Sequence, residues 1–409
     1  LSAWAQPQPQ PQPQPEESQV QAETEGEAPP PSEPNSSGPY PRGPFGGPTQ
    51  SIFNAGDDEG FGLGSPLPDP SAFEGADRTD VVLQGSRFVD VISLIGRYGY
   101  YLTPRQRLMA TGSLGNSMIG LDLDYSFIPE GMDGYFSAYF NEARSQNSSF
   151  LFGTDVGLPG TNKEPWIHRT STGFAYSTDP SQKFSLSTAI MYQNLSVHEG
   201  PFSGRLPSFD RLGNPLLVSP GGVDQMLQVR VAGLHMDLDT LDFPTAGHKF
   251  RFSTEQAIPI GASQISFTRF NANLVHFQPL HLFGDSEQTF IFSLQAGTML
   301  GTPPPYEAYN VGGPNSVRGY QLGEIGGGTS FLQSTAEVRV PIGSLPLFGQ
   351  DVPLRLNAFV DYGTGFGTAN QVFGQPSVVR DKPDSGLGYG AGIQALSDFG
   401  LVRVEAGWG

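Results

Sequence analysis

The chain has no cysteine among its 409 residues. Disulfides, thiolate nucleophiles and cysteine-based metal sites are excluded together. It also has no run of about 18 apolar residues, so no segment is built to cross a bilayer as a helix. Basic residues are few, 22 Lys and Arg against 40 Asp and Glu, and the net charge of −18 leaves no electrostatic footprint for nucleic acid. Catalytic signatures are missing as well. There is no Gly-x-Ser-x-Gly elbow, no His-Glu-x-x-His pair and no phosphate-binding loop. An enzyme is not expected, nor a cofactor.

The acidity that is present is unevenly placed. Residues 1–80 hold thirteen acids against Arg42 and Arg78, a net of −11, which leaves −18 + 11 = −7 for the rest. Residues 6–15 are a Gln-Pro repeat, the stretch from Glu16 to Pro34 is acidic and proline-rich, and glycine and proline dominate up to Pro70. Such composition buries too little apolar surface to offset the entropy of ordering, so residues 1–78 are expected to form a disordered tail. Ala3-Trp4-Ala5 at its start has the small-x-small pattern of a signal-peptidase site, and residues 1–5 read as the remnant of a signal peptide.

From about residue 80 the hydrophobic period becomes two. Phe184, Leu186, Ile190 and Tyr192 alternate with Ser185, Ser187 and Ala189, and Phe290, Phe292 and Leu294 alternate with Ser293, Gln295 and Gly297. Strands with one apolar and one polar face are what a membrane barrel with a wet lumen requires. The alternation predicts fourteen strands, near 87–101, 105–113, 118–127, 134–142, 167–177, 183–198, 225–236, 248–258, 263–277, 288–300, 329–341, 353–363, 386–396 and 401–408. Long loops at 142–166, 199–224 and 301–328 alternate with short turns. A transmembrane antiparallel β-barrel over residues 79–409, of about 14–16 strands, follows.

Metal-ligand spacing is sparse. His235, Asp237 and Asp239 would share one strand face, but Asp242 and Pro244 follow at once and read as the turn that ends the strand. No metal site is expected there. On the strand from 353, Leu354, Leu356, Ala358 and Val360 fall on the lipid side, and Arg355, Asn357, Phe359 and Asp361 on the lumen side. The strand from 329 places Gln333, Thr335, Glu337 and Arg339 inward by the same parity.

Three segments in order carry a resemblance. The first is Pro304-Pro305-Tyr306-Glu307 followed by Gly312-Gly313-Pro314-Asn315-Ser316 and then Val317-Arg318-Gly319-Tyr320; the second is Glu337-Val338-Arg339-Val340-Pro341; the third is Phe359-Val360-Asp361-Tyr362-Gly363. Together they resemble the BamA superfamily, also called the bacterial surface antigen family, over about residues 105–409, and 225–363 is especially similar to cyanobacterial members. The resemblance implies a barrel of about sixteen strands in a Gram-negative type of outer membrane. It implies a long sixth loop tethered inside the lumen through Val317, Arg318, Gly319 and Tyr320, with Glu337, Arg339, Phe359, Asp361 and Gly363 as its lumen partners. It also implies insertion or translocation of polypeptides through a weak seam between the first and last strands. The partners would be outer-membrane lipid, unfolded outer-membrane or secreted proteins and envelope assembly factors. Two departures are expected: residues 1–80 supply no periplasmic POTRA domain, and the chain stops at Gly409, one closing strand short. A passive pore for small solutes and a two-partner-secretion translocator would use the same lumen, and the sequence leaves both open.

Overall fold

The computed structural model describes residues 82–84 and, from 93 to 409, all but 104, 116–117, 133, 147–164, 179–182, 205–208, 210–214, 240–243, 262, 283–287, 314–315, 322, 348–349, 367–381 and 398–399. The tail expected over residues 1–78 and the signal-peptide remnant lie outside the described residues.

Each run of period-two alternation forms a strand. In chain order these are β1 (Val82–Gln84), β2 (Ser93–Thr103), β3 (Gln106–Gly115), β4 (Met118–Phe127), β5 (Tyr135–Gln146), β6 (Trp166–Ser177), β7 (Phe184–His198), β8 (Asp224–Leu238), β9 (Gly247–Pro259), β10 (Ser266–Leu280) and β11 (Gln288–Thr302). After a 3₁₀ turn at Pro305–Glu307 come β12 (Tyr309–Val311), β13 (Gly326–Gly328), β14 (Ser330–Leu347), β15 (Gln350–Phe366), β16 (Ser385–Ser397) and β17 (Gly400–Trp408). Fifteen of them form one sheet in which β1 to β11 follow in sequence and β14 to β17 continue after β11. Every neighbouring pair is antiparallel, as between β14 and β15, where Glu337 stands opposite Phe359 and Thr335 opposite Asp361. The short strands β12 and β13 pair only with each other and belong to the long loop between β11 and β14.

The fourteen expected strands correspond to β2–β11 and β14–β17, with one instructive difference in length. The strand expected to stop at Pro341 continues to Leu347. A bulge between Pro341 and Gly343 lets it do so, with Gly343 at φ 126. The extra residue absorbs a proline that cannot donate to the ladder, and glycine adopts the left-handed backbone without a Cβ clash.

Polarity is inverted relative to a soluble fold. Phe174, Ile190, Leu300, Leu356, Val360, Tyr389, Val404 and Trp408 are exposed, whereas Asn141, Gln193, Gln228, Glu255, Gln295, Glu337, Asn357 and Asp361 are buried. An apolar exterior around a polar interior is the pattern of a sheet closed in lipid, where each backbone group must find its partner within the sheet. The sheet curls around the long loop, because side chains of β6 and β10 and side chains of β14, β15 and β17 all reach that one loop. The apolar core is inside the lumen. Tyr306, Tyr309, Val311, Val317 and Ile325 of the loop pack with Leu195, Val197, Met226, Phe267 and Phe331 of the wall and with Leu216 and Leu217.

Candidate functional site

The segment from Thr302 to Ser330 leaves the top of β11 and folds inward. Four positive-φ glycines shape it, Gly312 at 111°, Gly313 at 116°, Gly319 at 100° and Gly323 at 72°. These turns aim Arg318 at the lumen face of β14 and β15. Its Nε donates to Asp361 Oδ2 at 2.7 Å and its Nη2 to Asp361 Oδ1 at 2.8 Å. Its Nη1 donates to Glu337 Oε2 at 2.9 Å. The backbone N–H of Arg318 adds a bond to Asp361 Oδ2 at 3.1 Å. The guanidinium lies over the Phe359 ring, 3.3 Å from its centroid, where the π face attracts the cation.

All three charged residues are withdrawn from water: Arg318 is 4% exposed, Glu337 0% and Asp361 0%. Burial alone would make the Arg318 guanidinium easier to deprotonate, but Asp361, Glu337 and Glu405 outweigh it and hold the group charged. Each acid is supported in turn. Thr335 donates to Asp361 Oδ1 at 2.8 Å, and Arg339 Nε donates to Glu337 Oε1 at 2.7 Å. The clamp is therefore a hydrogen-bonded charge network and not an isolated pair, which is the condition under which buried charges are tolerated.

The remaining residues read from the sequence fall around this centre. Val317 is fully buried, and Gly363 faces it so closely that a Cβ there would lie 2.6 Å from Val317 Cγ2 and 2.6 Å from Val311 Cγ1. Tyr320 donates to the Leu387 backbone oxygen at 3.5 Å and lies against Gly386 and Gly409. Arg339 differs from the expectation of a loop partner. Its described hydrogen bond is to Glu337, so it steadies an acid of the clamp and does not reach the loop through that bond. At the other rim, β8 ends at Leu238, Asp237 pairs with Lys183 at 2.7 Å, and Asp239 accepts from the Thr245 backbone N–H and hydroxyl.

Three features were not read from the sequence. Glu405 of β17 accepts from Arg318 Nη1 at 3.2 Å and also from Asn357 Nδ2. On β16, Gly386, Gly388, Gly390 and Gly392 occupy consecutive inward positions. A Cβ on Gly388 would lie 2.0 Å from the Arg318 carbonyl oxygen, and one on Gly390 would lie 2.5 Å from Phe359 Cζ. Strict glycine alternation was visible in the sequence and could have marked a surface that accepts a closely packed backbone. The third is at the root of the loop. Glu307, 4% exposed, accepts from Arg169 Nη2 of β6 at 2.7 Å and from Arg269 Nη2 of β10 at 2.6 Å. Tyr306 beside it donates to Asp224 Oδ2 at 2.8 Å, and burial together with Asp224 raises its phenol pKa.

Comparison with known proteins identifies the family and the fold. A family model described as the Omp85 superfamily domain matches residues 115–409. The chain is 28% identical over 247 residues to outer envelope protein 80 of Arabidopsis thaliana chloroplasts, covering 60% of this chain and 31% of that protein. It is 29% identical over 274 residues to chloroplast protein TOC75 of Pisum sativum, covering 63% and 32%. Outer envelope protein 39 of Arabidopsis thaliana is 28% identical over 281 residues, 64% of this chain and 71% of that one. The chain thus spans about a third of the length of the first two relatives. Among solved structures, BamA from Haemophilus ducreyi lacking POTRA domains 1–3 aligns with TM-score 0.58 and 14% identity, over 81% of this chain and 66% of that one. CdiB from Escherichia coli aligns with TM-score 0.52 and 15% identity, over 78% and 55%. At such identity the likeness to solved structures is one of fold. In agreement with the resemblance read from its sequence, the chain is an outer-membrane β-barrel and belongs to the Omp85 superfamily.

Proposed function

We propose that this barrel inserts or translocates polypeptides at an outer membrane, and that the loop between β11 and β14, tethered through Val317, Arg318, Gly319 and Tyr320, sets the state of its lumen. The observation that carries the reading is the Arg318 clamp. While the loop is seated, its apolar residues pack with those of the wall inside the lumen. When it leaves, Asp361 loses the guanidinium that neutralises it and Glu337 keeps only Arg339 among its described partners. Loss of one member of a buried charge network is steep, so seated and unseated loops are discrete states, as a gate needs. Membership of the Omp85 superfamily and the fold likeness to BamA support the same reading. The clients are unfolded outer-membrane or secreted polypeptides, and the apolar exterior takes outer-membrane lipid.

The test is reconstitution of the full chain into lipid vesicles with an unfolded barrel protein as client. Accelerated appearance of folded, protease-resistant client, lost in Arg318→Ala, is expected. Steady ohmic conductance of small ions with no acceleration of client folding would favour a passive pore instead.

A further inference from the structure

The long loop is held at two places whose described hydrogen bonds share no wall residue. The tip is held by β14, β15 and β17 through Arg318. While the Tyr309 ring also packs on Phe331 of β14 with centroids 4.6 Å apart, the hydrogen bonds and ion pairs of the root lie on a different arc of the sheet. There Glu307 places one carboxylate oxygen on Arg169 of β6 and the other on Arg269 of β10, and Arg269 Nη2 also donates to the Glu307 carbonyl oxygen at 3.1 Å. Tyr306 reaches Asp224, whose carboxylate also accepts the backbone N–H groups of Val218 and Ser219 at 2.9 and 2.7 Å. Tyr309 donates to Asn271 Oδ1 of β10 at 2.6 Å. Between root and tip the chain turns at two consecutive positive-φ glycines, Gly312 and Gly313.

We infer that Glu307 is a positioning residue that latches the root of the loop independently of the Arg318 clamp, so that the tip can release while the root stays seated in the lumen. The charge arrangement makes the root a latch and not a passive contact. If the root lifts, Arg269 keeps Glu255 at 3.3 Å, but Arg169, 5% exposed, keeps only the neutral Gln193 at 3.0 Å among its described hydrogen bonds. A buried guanidinium facing only a neutral amide is disfavoured, so the root leaves as a discrete event or not at all. Released at the tip alone, the loop would uncover the Arg318 seat on β14, β15 and β17 and the glycine face of β16, while the β6–β10 wall and Phe331 of β14 stayed covered by the root. The lumen would then open on one side.

The absence of cysteine makes the test direct. Two single-cysteine reporters, Ala308→Cys at the root and Ser316→Cys near the tip, replace side chains that are 6% and 3% exposed. The full chain in lipid vesicles is challenged with a bulky charged maleimide. Both reporters are expected to be protected in the parent chain. Glu307→Gln should raise the labelling rate at position 308 by about tenfold or more while position 316 changes by less than about twofold, and Arg318→Ala should do the reverse. Continued protection of 308 in Glu307→Gln, or joint labelling of both reporters in either variant, would overturn the inference. If Glu307→Gln does not reach the folded, heat-modifiable form, Arg169→Gln removes one of the two partners and must expose 308 in the same way, and protection there overturns it equally. The inference rests on the loop being the movable part of the barrel, but labelling reads the loop and not transport. A barrel that labels as expected and moves no polypeptide would retire the transport reading and keep the latch.

Discussion

Arg318 grips Asp361 with a planar fork, Nε at 2.7 Å from one carboxylate oxygen and Nη2 at 2.8 Å from the other. That geometry is particular to a guanidinium. An ammonium offers a point charge and cannot meet both oxygens while also reaching Glu337. Removing one member of such a buried pair typically costs ~3–5 kcal/mol, because the partner charge is left uncompensated. Arg318→Ala should destabilise the seated loop by that order, and Arg318→Lys should recover little of it. Protease susceptibility of the loop in vesicles measures both. Lys183 and Asp237 are just as close, at 2.7 Å, yet both are exposed, so Lys183→Ala should leave loop protection unchanged.

The glycine face of β16 gives a test of the same seat that leaves every charge in place. A methyl group on Gly388 would lie 2.0 Å from the Arg318 carbonyl oxygen, a backbone atom that cannot swing aside. Gly388→Ala should therefore push the tip off the wall and reproduce the loop exposure of Arg318→Ala. Gly112 on β3 has nothing within 4 Å of a built Cβ, and Gly112→Ala should be silent. A Gly388→Ala barrel whose loop remains protected would show that the tip does not depend on this seat.

These examples show what the sequence made legible. Alternation alone assigned the facing of Glu337, Arg339, Asn357 and Asp361, because a period of two leaves a strand no choice of face once its apolar side meets lipid. It did not assign partners. Glu307 meets Arg169 and Arg269 across sequence separations of 138 and 38 residues, and only the curl of the sheet and the depth of the loop bring them together. Arg339 was correctly faced inward, yet its described bond goes to Glu337 two residues away on its own strand. The strand from 329 was expected to end at Pro341; the bulge that carries it on to Leu347 was not legible, since alternation breaks at the proline and resumes only after Gly343.

Acidification should act on the root in a defined direction. Burial alone would raise the Glu307 carboxyl pKa, but Arg169 and Arg269 overcome that effect and hold it below the usual carboxylate range. A carboxyl that titrates lower when folded than when free contributes in full above the ordinary range, and that contribution is lost only as pH falls through the depressed value. Pepsin, which cuts in acid, should therefore find the 305–309 root only below the ordinary carboxylate range. Cleavage that begins at or above that range would contradict the pairing. In Glu307→Gln the root should be accessible throughout, with no pH step.

The outward face makes a separate claim about the membrane. Leu356 and Val360 are 43% and 48% exposed on β15, and arginine at a lipid-facing midplane position of a barrel costs roughly 2–4 kcal/mol. Leu356→Arg and Val360→Arg should lower the yield of folded barrel in vesicles, with Leu356→Val close to the parent. Asn357, one residue along and facing inward, is no permissive site for comparison. It is 3% exposed and donates to Glu405, so a larger side chain there would strike the clamp.

Glu405 allows the clamp's members to be ranked from geometry. Asp361 takes two side-chain bonds and one backbone bond from Arg318. Glu337 takes one bond from Arg318, at 2.9 Å, but also holds Arg339 at 2.7 Å, so its loss leaves two guanidiniums short of an acceptor. Among the described bonds, Glu405 takes one longer bond from Arg318, at 3.2 Å, and one from a neutral amide, with its side chain 10% exposed. Charge-assisted bonds weaken with length and with access to water. Asp361→Asn and Glu337→Gln should therefore release the loop more than Glu405→Gln. In double-mutant cycles against Arg318→Ala, the coupling to Asp361 should exceed the coupling to Glu405 by more than ~1 kcal/mol, well above the error of such cycles. Equal coupling for the two acids would mean that β17 holds the tip as firmly as β15. The seat would then be centred one strand further along, over the glycine face of β16.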